Sequence, residues 1–438
     1  MFEKIETCVK TVRAVAGSVL RFKPKSETTI EIVGSEESGH GSCILVHDGD
    51  ITVAIDCGAS PQENGALGSV TRKIVAALIA ARPKVMVISH FHFDHWGSLS
   101  AVIKEFLRKR INPPAILATE TTWKLLNLFG GISLPTTLLK AFGVRAEQTA
   151  KIKLIPNSHS VPDSASVLLL GRKNILYTGD CWAIDLPADL PRIDVLIMDS
   201  TGAEKPNPRQ DNELEIRQNI AGLIAETLEN DCRANAYVAM FSTQLERAMW
   251  LESEIQRTTG FLPALMGTSL FNNLNLLRKD SKERRSNRVA LTTGVWAQGE
   301  EDWLNGGVSA MVRLSRGAHT RRRLKHGDLV VLSGSIPTWS VSLTRQIKAM
   351  CQRMSSFGVR MVVDVSAPEY WSAFAERREV HAGGHGNLPE IVGLIEKIKP
   401  KQVLPFHASA RAREIVAEYC RAKGIGVITA TQSSKIAL

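Results

Sequence analysis

A chain of 438 residues, 44% of them hydrophobic, is long enough for two or three packed units and has the balance of a globular protein rather than a disordered one. No run of about eighteen uninterrupted apolar residues occurs, which argues against a membrane span. Met1–Leu20 mixes Glu3, Lys4, Glu6, Lys10 and Arg13 with its apolar residues, so export is not expected and the cytoplasm is the expected compartment. Seven cysteines without a Cys-x-x-Cys pair argue against a disulfide framework, and a formal net charge of +10 suits a polyanionic partner such as nucleic acid.

Short apolar runs bounded by turn residues dominate the first two hundred residues and predict strands at Thr29–Val33, Ser42–His47, Ile51–Ile55, Val85–Ser89, Lys151–Ile155, Val167–Leu170, Ile175–Thr178 and Val195–Asp199. Helical spacing falls at Val70–Ala81 and Leu99–Arg110, so an α/β architecture is expected. After Asp199 come longer helical patterns, Asn212–Glu229 and Gln244–Thr258. Two basic clusters lie in the same region: Lys279, Lys282, Arg284, Arg285 and Arg288, then Arg313, Arg316, Arg321, Arg322, Arg323 and Lys325. Strand–helix alternation resumes with Val362–Val365, Leu388–Ile398, Gln402–Pro405 and Ala410–Lys423. The expected organisation is one catalytic domain, residues 1–203 and 367–438, interrupted by an inserted domain at 204–366.

The chemistry concentrates in Ser89-His90-Phe91-His92-Phe93-Asp94-His95-Trp96-Gly97, between a strand run and a helical pattern. Alternate residues of extended backbone point the same way, so His90 and His92 share one side, while Asp94 and His95 can turn to a neighbouring position. Imidazole and carboxylate are the donors that zinc-type ions accept. His159 and Asp180 each follow a strand-like run, with Gly179 allowing a tight turn before Asp180, and His407 follows Val403–Leu404. Cys57 and Cys181 each follow an aspartate near these motifs and read as small buried residues rather than reactive thiols.

His-x-His-x-Asp-His, a lone His159 and Thr178-Gly179-Asp180 together resemble the metallo-β-lactamase superfamily, and Asp56 resembles its early structural aspartate. His159-Ser160-Val161-Pro162-Asp163-Ser164, Asp199-Ser200-Thr201, Gly267-Thr268-Ser269-Leu270, His381-Ala382-Gly383-Gly384-His385 and Leu404-Pro405-Phe406-His407 resemble ribonuclease J within the β-CASP nuclease branch. The resemblance implies an αββα sandwich with an inserted β-CASP α/β domain. It also implies two zinc ions, with Mn2+ or Mg2+ as substitutes. One ion would take His90, His92 and His159, the other Asp94, His95 and His407, with Asp180 bridging. A hydroxide between the ions would attack a phosphodiester, with Asp94, His385 and Asp199 as catalytic residues. His385 would serve the leaving oxygen and Asp199 would orient its neighbours. His385, Ser269, Arg321, Arg322 and Arg323 would bind substrate in a cleft beside the insert.

Three positions depart from the ribonuclease J pattern: Gly383 stands where a serine is usual, Thr268 where an arginine is, and Ser335–Ser340 lacks the usual Pro-Gly-Asn-Glu. The usual C-terminal domain is expected to be absent. Because members of that branch that process RNA usually carry histidine where this chain has His407, the resemblance implies RNA as substrate, by endonucleolytic or 5′-exonucleolytic cleavage, and allows a homodimer. The alternatives are a DNA nuclease of the same branch, a small-molecule hydrolase of the same fold, and a nucleic-acid-binding protein without catalysis.

Overall fold

The computed structural model describes residues 27–438 except 36, 38–39, 50, 61–67, 130–150, 208–212, 242–243, 267–273, 275–287, 293–323, 335–340 and 432–433. Residues 1–209 with 384–438 form one compact unit, and residues 210–383 form a second.

The first unit contains two sheets. One has the strand order Lys435–Ala437, Thr29–Ile32, Ile44–Asp48, Ile51–Ile55, Val85–Val87 and Ala115–Leu117. The other runs Gly426–Val427, Gln402–Phe406, Val195–Asp199, Ile175–Tyr177, Ala165–Leu169, Ile152–Ser158 and Ala183–Ile184. The sheets share a core: Ile30, Ile44, Val46, Val53, Ile55 and Val87 of the first pack with Val167, Ile175, Tyr177, Val195, Ile197 and Phe406 of the second. Leu45, Ala54, Met86 and Ile116 alternate with those core residues and are buried on the opposite face. Helices Ser69–Ala81 and Leu99–Arg108 pack against each other and bury Ile74, Leu78, Val102, Ile103 and Phe106. The second sheet's outer face is covered by Leu388–Ile398 and Ala410–Ala422, through Ile391, Leu394, Ile395, Val416 and Cys420. The first of these helices has a local start signal: the Glu390 carboxylate accepts a hydrogen bond from the Asn387 amide. Helix, sheet, sheet and helix therefore stack as an α/β sandwich.

The second unit is a parallel sheet in the order Ala264–Met266, Val289–Thr292, Ala236–Ala239, Leu329–Leu332, Arg360–Asp364 and Glu376–Arg378. Its described helices include Glu213–Asn230, Leu245–Thr259 and Val341–Ser356. The sequence pattern put the second break at 366/367, where strand–helix alternation resumes. Glu376–Arg378 pairs with Arg360–Asp364, which keeps the chain in the second unit's sheet beyond that point.

Each of the eight early runs read as strands overlaps one. The strand Ala115–Leu117 is too short to show a clear period, and the helix Glu120–Phe129 likewise goes beyond the sequence reading.

Candidate metal centre

Sheet geometry brings the distant residues together. Ile175–Tyr177, Val195–Asp199 and Gln402–Phe406 are adjacent parallel strands, so their carboxyl ends lie side by side. Asp180 follows the first, Asp199 ends the second and His407 follows the third. Gly179 takes φ +60°, the left-handed turn that releases Asp180 from the strand direction. The histidine loop follows Val85–Val87 in the facing sheet. Its His92 is extended, and the short helix Phe93–Trp96 carries Asp94 and His95.

Three imidazoles converge. His90 Nε2 and His159 Nε2 lie 3.1 and 2.9 Å from His92 Nδ1, and Asp180 Oδ2 is 3.7 Å from His90 Nε2. Beside them, Asp180 Oδ2 lies 3.2 Å from His95 Nε2, and Asp94 Oδ2 lies 3.8 Å from His95 Nε2 and 3.3 Å from His407 Nε2. Asp180 Oδ1 is 3.3 Å from His407 Nδ1. Asp180 thus touches both groups, as a bridging ligand must.

The residues present fit metal ions. Two imidazole nitrogens about 3 Å apart repel unless a proton or a cation lies between them. Burial holds His90 and His159 well below the ordinary imidazole pKa and His92 at about 4, so a proton is disfavoured there. Neutral imidazole is the state a metal ligand needs. Ligands of a tetrahedral zinc stand about 3.3 Å apart, close to the spacing found. Burial also opposes a charge on His95, but Asp180, Asp94 and Asp56 outweigh it and lift its pKa well above the usual value. The carboxylates therefore call for positive charge at this spot, which a cation supplies. His95 Nε2 and Asp180 Oδ1 are buried without a hydrogen bond.

The ring atoms facing away from the centre are tethered. Asp56 Oδ2 holds His95 Nδ1 at 2.8 Å and accepts hydrogen bonds from Tyr177 and Ser89 hydroxyls, at 3.0 and 2.9 Å. Asp56 is thus a support for a ligand rather than a ligand. Ser89 Oγ lies 3.1 Å from His90 Nδ1, and Ser160 Oγ 3.4 Å from His92 Nε2. The Gly384 carbonyl holds His159 Nδ1 at 2.7 Å, and a Cβ on Gly384 would stand 2.4 Å from that ring, so only glycine allows the approach. Sequence analysis assigns no role to Ser89, Ser160, Tyr177 or Thr201; Ser89 and Ser160 could have been found as hydroxyl residues next to His90 and His159, while Tyr177 and Thr201 reach the site only through the fold.

Asp199 and His385 form a different pair. His385 Nδ1 lies 2.8 Å from Asp199 Oδ2, which also accepts from the Cys181 amide at 3.2 Å. Asp199 Oδ1 accepts from the Thr201 amide at 3.0 Å, and the Thr201 hydroxyl lies 2.7 Å away. Burial opposes the His385 charge, but Asp199 overcomes it and lifts the pKa to about 9. Cys57 and Cys181 are buried, and burial pushes both thiols well above their usual pKa, so neither is a reactive thiolate. Ser269, Arg321, Arg322, Arg323 and most of both basic clusters lie outside the described residues. Of the two basic-cluster members described, Arg288 donates to the Ala234 carbonyl and Lys325 to that of Arg233.

Residues 38–181 match the family model of the metallo-beta-lactamase superfamily. Ribonuclease J of Mycobacterium tuberculosis is 24% identical over 377 residues, covering 78% of this chain and 61% of that protein. Ribonuclease J2 of Bacillus subtilis is 24% identical over 436 residues, covering 90% of this chain and 72% of the relative. The chain therefore spans about three-fifths of the length of the mycobacterial relative. A crystal structure of a protein of unknown function from Enterococcus faecalis shares the fold, with a TM-score of 0.57, 13% identity and coverage of 94% of this chain and all of that one. Among the described residues no helix is long and apolar enough to cross a membrane.

Proposed function

We propose that this chain, a metallo-β-lactamase-fold protein similar to ribonuclease J over most of its length, is a two-metal phosphodiesterase that cleaves RNA. The observation that carries the metal reading is the approach of His90 and His159 nitrogens to within 3.1 Å of His92 Nδ1, with Asp180 also facing His95 and His407 of a second group that includes Asp94. The similarity to ribonucleases J supports RNA as the polymer. The unit at 210–383 is proposed to be the β-CASP insertion, since it enters the chain between Asp199 and His385.

The imidazole-rich donors favour zinc, with Mn2+ or Mg2+ as substitutes. When bound, two such ions supply hydroxide near neutral pH and neutralise charge on phosphoryl oxygens. The chain's own residues then do the rest. Asp56, Ser89, Ser160 and the Gly384 carbonyl fix the ring orientations before substrate arrives. His385 remains 23% exposed, with Nδ1 tied to Asp199, so its Nε2 is the ring's remaining donor toward a leaving oxygen. Thr201 and the Cys181 amide keep Asp199 pointed at His385.

Parallel assays on labelled RNA, the same sequence as DNA, and a chromogenic small diester test the proposal. RNA should be cleaved fastest, and a chelator should abolish cleavage. Faster cleavage of DNA would move the protein to the DNA-processing alternative, and turnover of the small diester alone would make it a small-molecule hydrolase.

A further inference from the structure

His385 is tied to Asp199 twice, once through its ring and once through its chain neighbour. The Gly386 amide donates to the Cys181 carbonyl at 3.0 Å. The Cys181 amide donates to Asp199 Oδ2 at 3.2 Å, and that same oxygen lies 2.8 Å from His385 Nδ1. Asp199 carboxylate, Cys181 peptide, Gly386 backbone and His385 ring thus form a closed circuit. Where residue 386 lies therefore bears directly on how the ring meets its carboxylate.

Residue 386 is placed by a stretch of chain far from it in sequence. Gly202 forms a parallel bridge with Asn387, and the Leu388 amide donates to the Lys205 carbonyl at 3.1 Å. Gly202 and Gly386 are both buried where these stretches meet. A Cβ on Gly202 would stand 2.1 Å from the Gly386 carbonyl oxygen and 2.8 Å from its carbon. Both atoms are backbone, so no side-chain rotation relieves the clash. Gly386 has little room to retreat, since a Cβ on it would already lie 3.2 Å from Glu390 Cβ and 3.3 Å from Trp182 Cα. Relief by moving 386 pulls on His385. Relief by moving 202 pulls on Thr201, whose amide and hydroxyl lie 3.0 and 2.7 Å from Asp199 Oδ1. Either way the two members of the Asp199–His385 pair shift against each other.

We infer that Gly202 is a positioning residue for the leaving-group step: its missing side chain lets the residue 386 peptide close onto Cys181 and so sets His385 against Asp199. The inference rests on the proposed role of His385 at the leaving oxygen and deepens it. Gly202 acts through His385, so a side chain there is felt in turnover, while the ions and substrate affinity are left as they were. A proton donor displaced by a fraction of an ångström to an ångström loses much of its effect, because transfer needs hydrogen-bond reach.

The test is a double-mutant cycle of wild type, Gly202→Ala, His385→Ala and the double variant on one end-labelled single-stranded RNA. For each protein kcat, KM and metal content are measured. Gly202→Ala should lower kcat about 10- to 100-fold, the scale of a misplaced reacting group, with KM and metal content unchanged. In the His385→Ala background the same substitution should change kcat by less than about twofold, because the group it misplaces is already gone. Gly386→Ala, whose closest contacts are longer, should show a smaller loss that also disappears without His385, and it carries the cycle where Gly202→Ala does not fold. Equal losses with and without His385, lost metal, or wild-type kcat for Gly202→Ala overturns the inference while the nuclease reading stands. Wild-type cleavage by His385→Ala overturns the inference and the proposed role of His385 together.

Discussion

His385 Nδ1 lies 2.8 Å from Asp199 Oδ2, and Asp199 is buried with both oxygens already accepting hydrogen bonds from the chain. A carboxylate so committed fits the proposed role of orienting its imidazole. Asp199→Asn should therefore lower cleavage about 10- to 100-fold, the usual effect of removing an outer partner of a site residue. His385→Ala should cost about 100- to 10,000-fold, the scale of a lost general acid. Both proteins should keep their full metal content by elemental analysis. Metal loss in proportion to lost rate would make the pair part of the ion-binding shell.

His407 is predicted to behave differently, because its two nitrogens face two carboxylates: Nε2 is 3.3 Å from Asp94 and Nδ1 is 3.3 Å from Asp180. His407→Ala should lower metal occupancy together with rate. Unchanged metal content with lost activity would assign His407 to substrate instead.

Stability carries a pH signature far in sequence from the metal ligands. Burial, and then the neighbouring Glu213 carboxylate, raise the Glu246 pKa from 4.5 to about 7. The folded state therefore holds this proton more tightly than the unfolded chain does. The contribution is fully present below pH 4.5 and is lost as pH rises through about 7. Glu246→Gln, compared with wild type by thermal or denaturant unfolding, should gain about 1–2 kcal/mol at pH 8, allowing for solvent screening of a half-buried group. The gain should vanish near pH 4. A difference independent of pH would show that Glu246 titrates normally.

The part of the site legible in the sequence was the part written in short range. His90, His92, Asp94 and His95 lie in one loop whose alternation bears on their directions, and the structure brings His90 and His92 beside His159 and Asp180, and Asp94 and His95 beside His407. His159, Asp180 and His407 were legible as the ends of apolar runs. Their meeting depends on three strands lying parallel and adjacent, which no local pattern specifies. The supporting contacts were not legible for the same reason. Ser89 and Asp56 are 33 residues apart, and His159 and Gly384 are 225 apart. In the second unit, Leu329–Leu332 and Val289–Thr292 are buried four-residue strands, too short for periodicity to separate strand from helix.

The central claim, metal-dependent cleavage of RNA, is tested most directly by returning zinc in steps to chelator-stripped protein while following cleavage of an end-labelled single-stranded RNA. Cleavage should be absent in the stripped protein, rise with added zinc, and saturate at about two ions per chain. Full cleavage by the stripped protein, or none at any zinc content, would contradict the account.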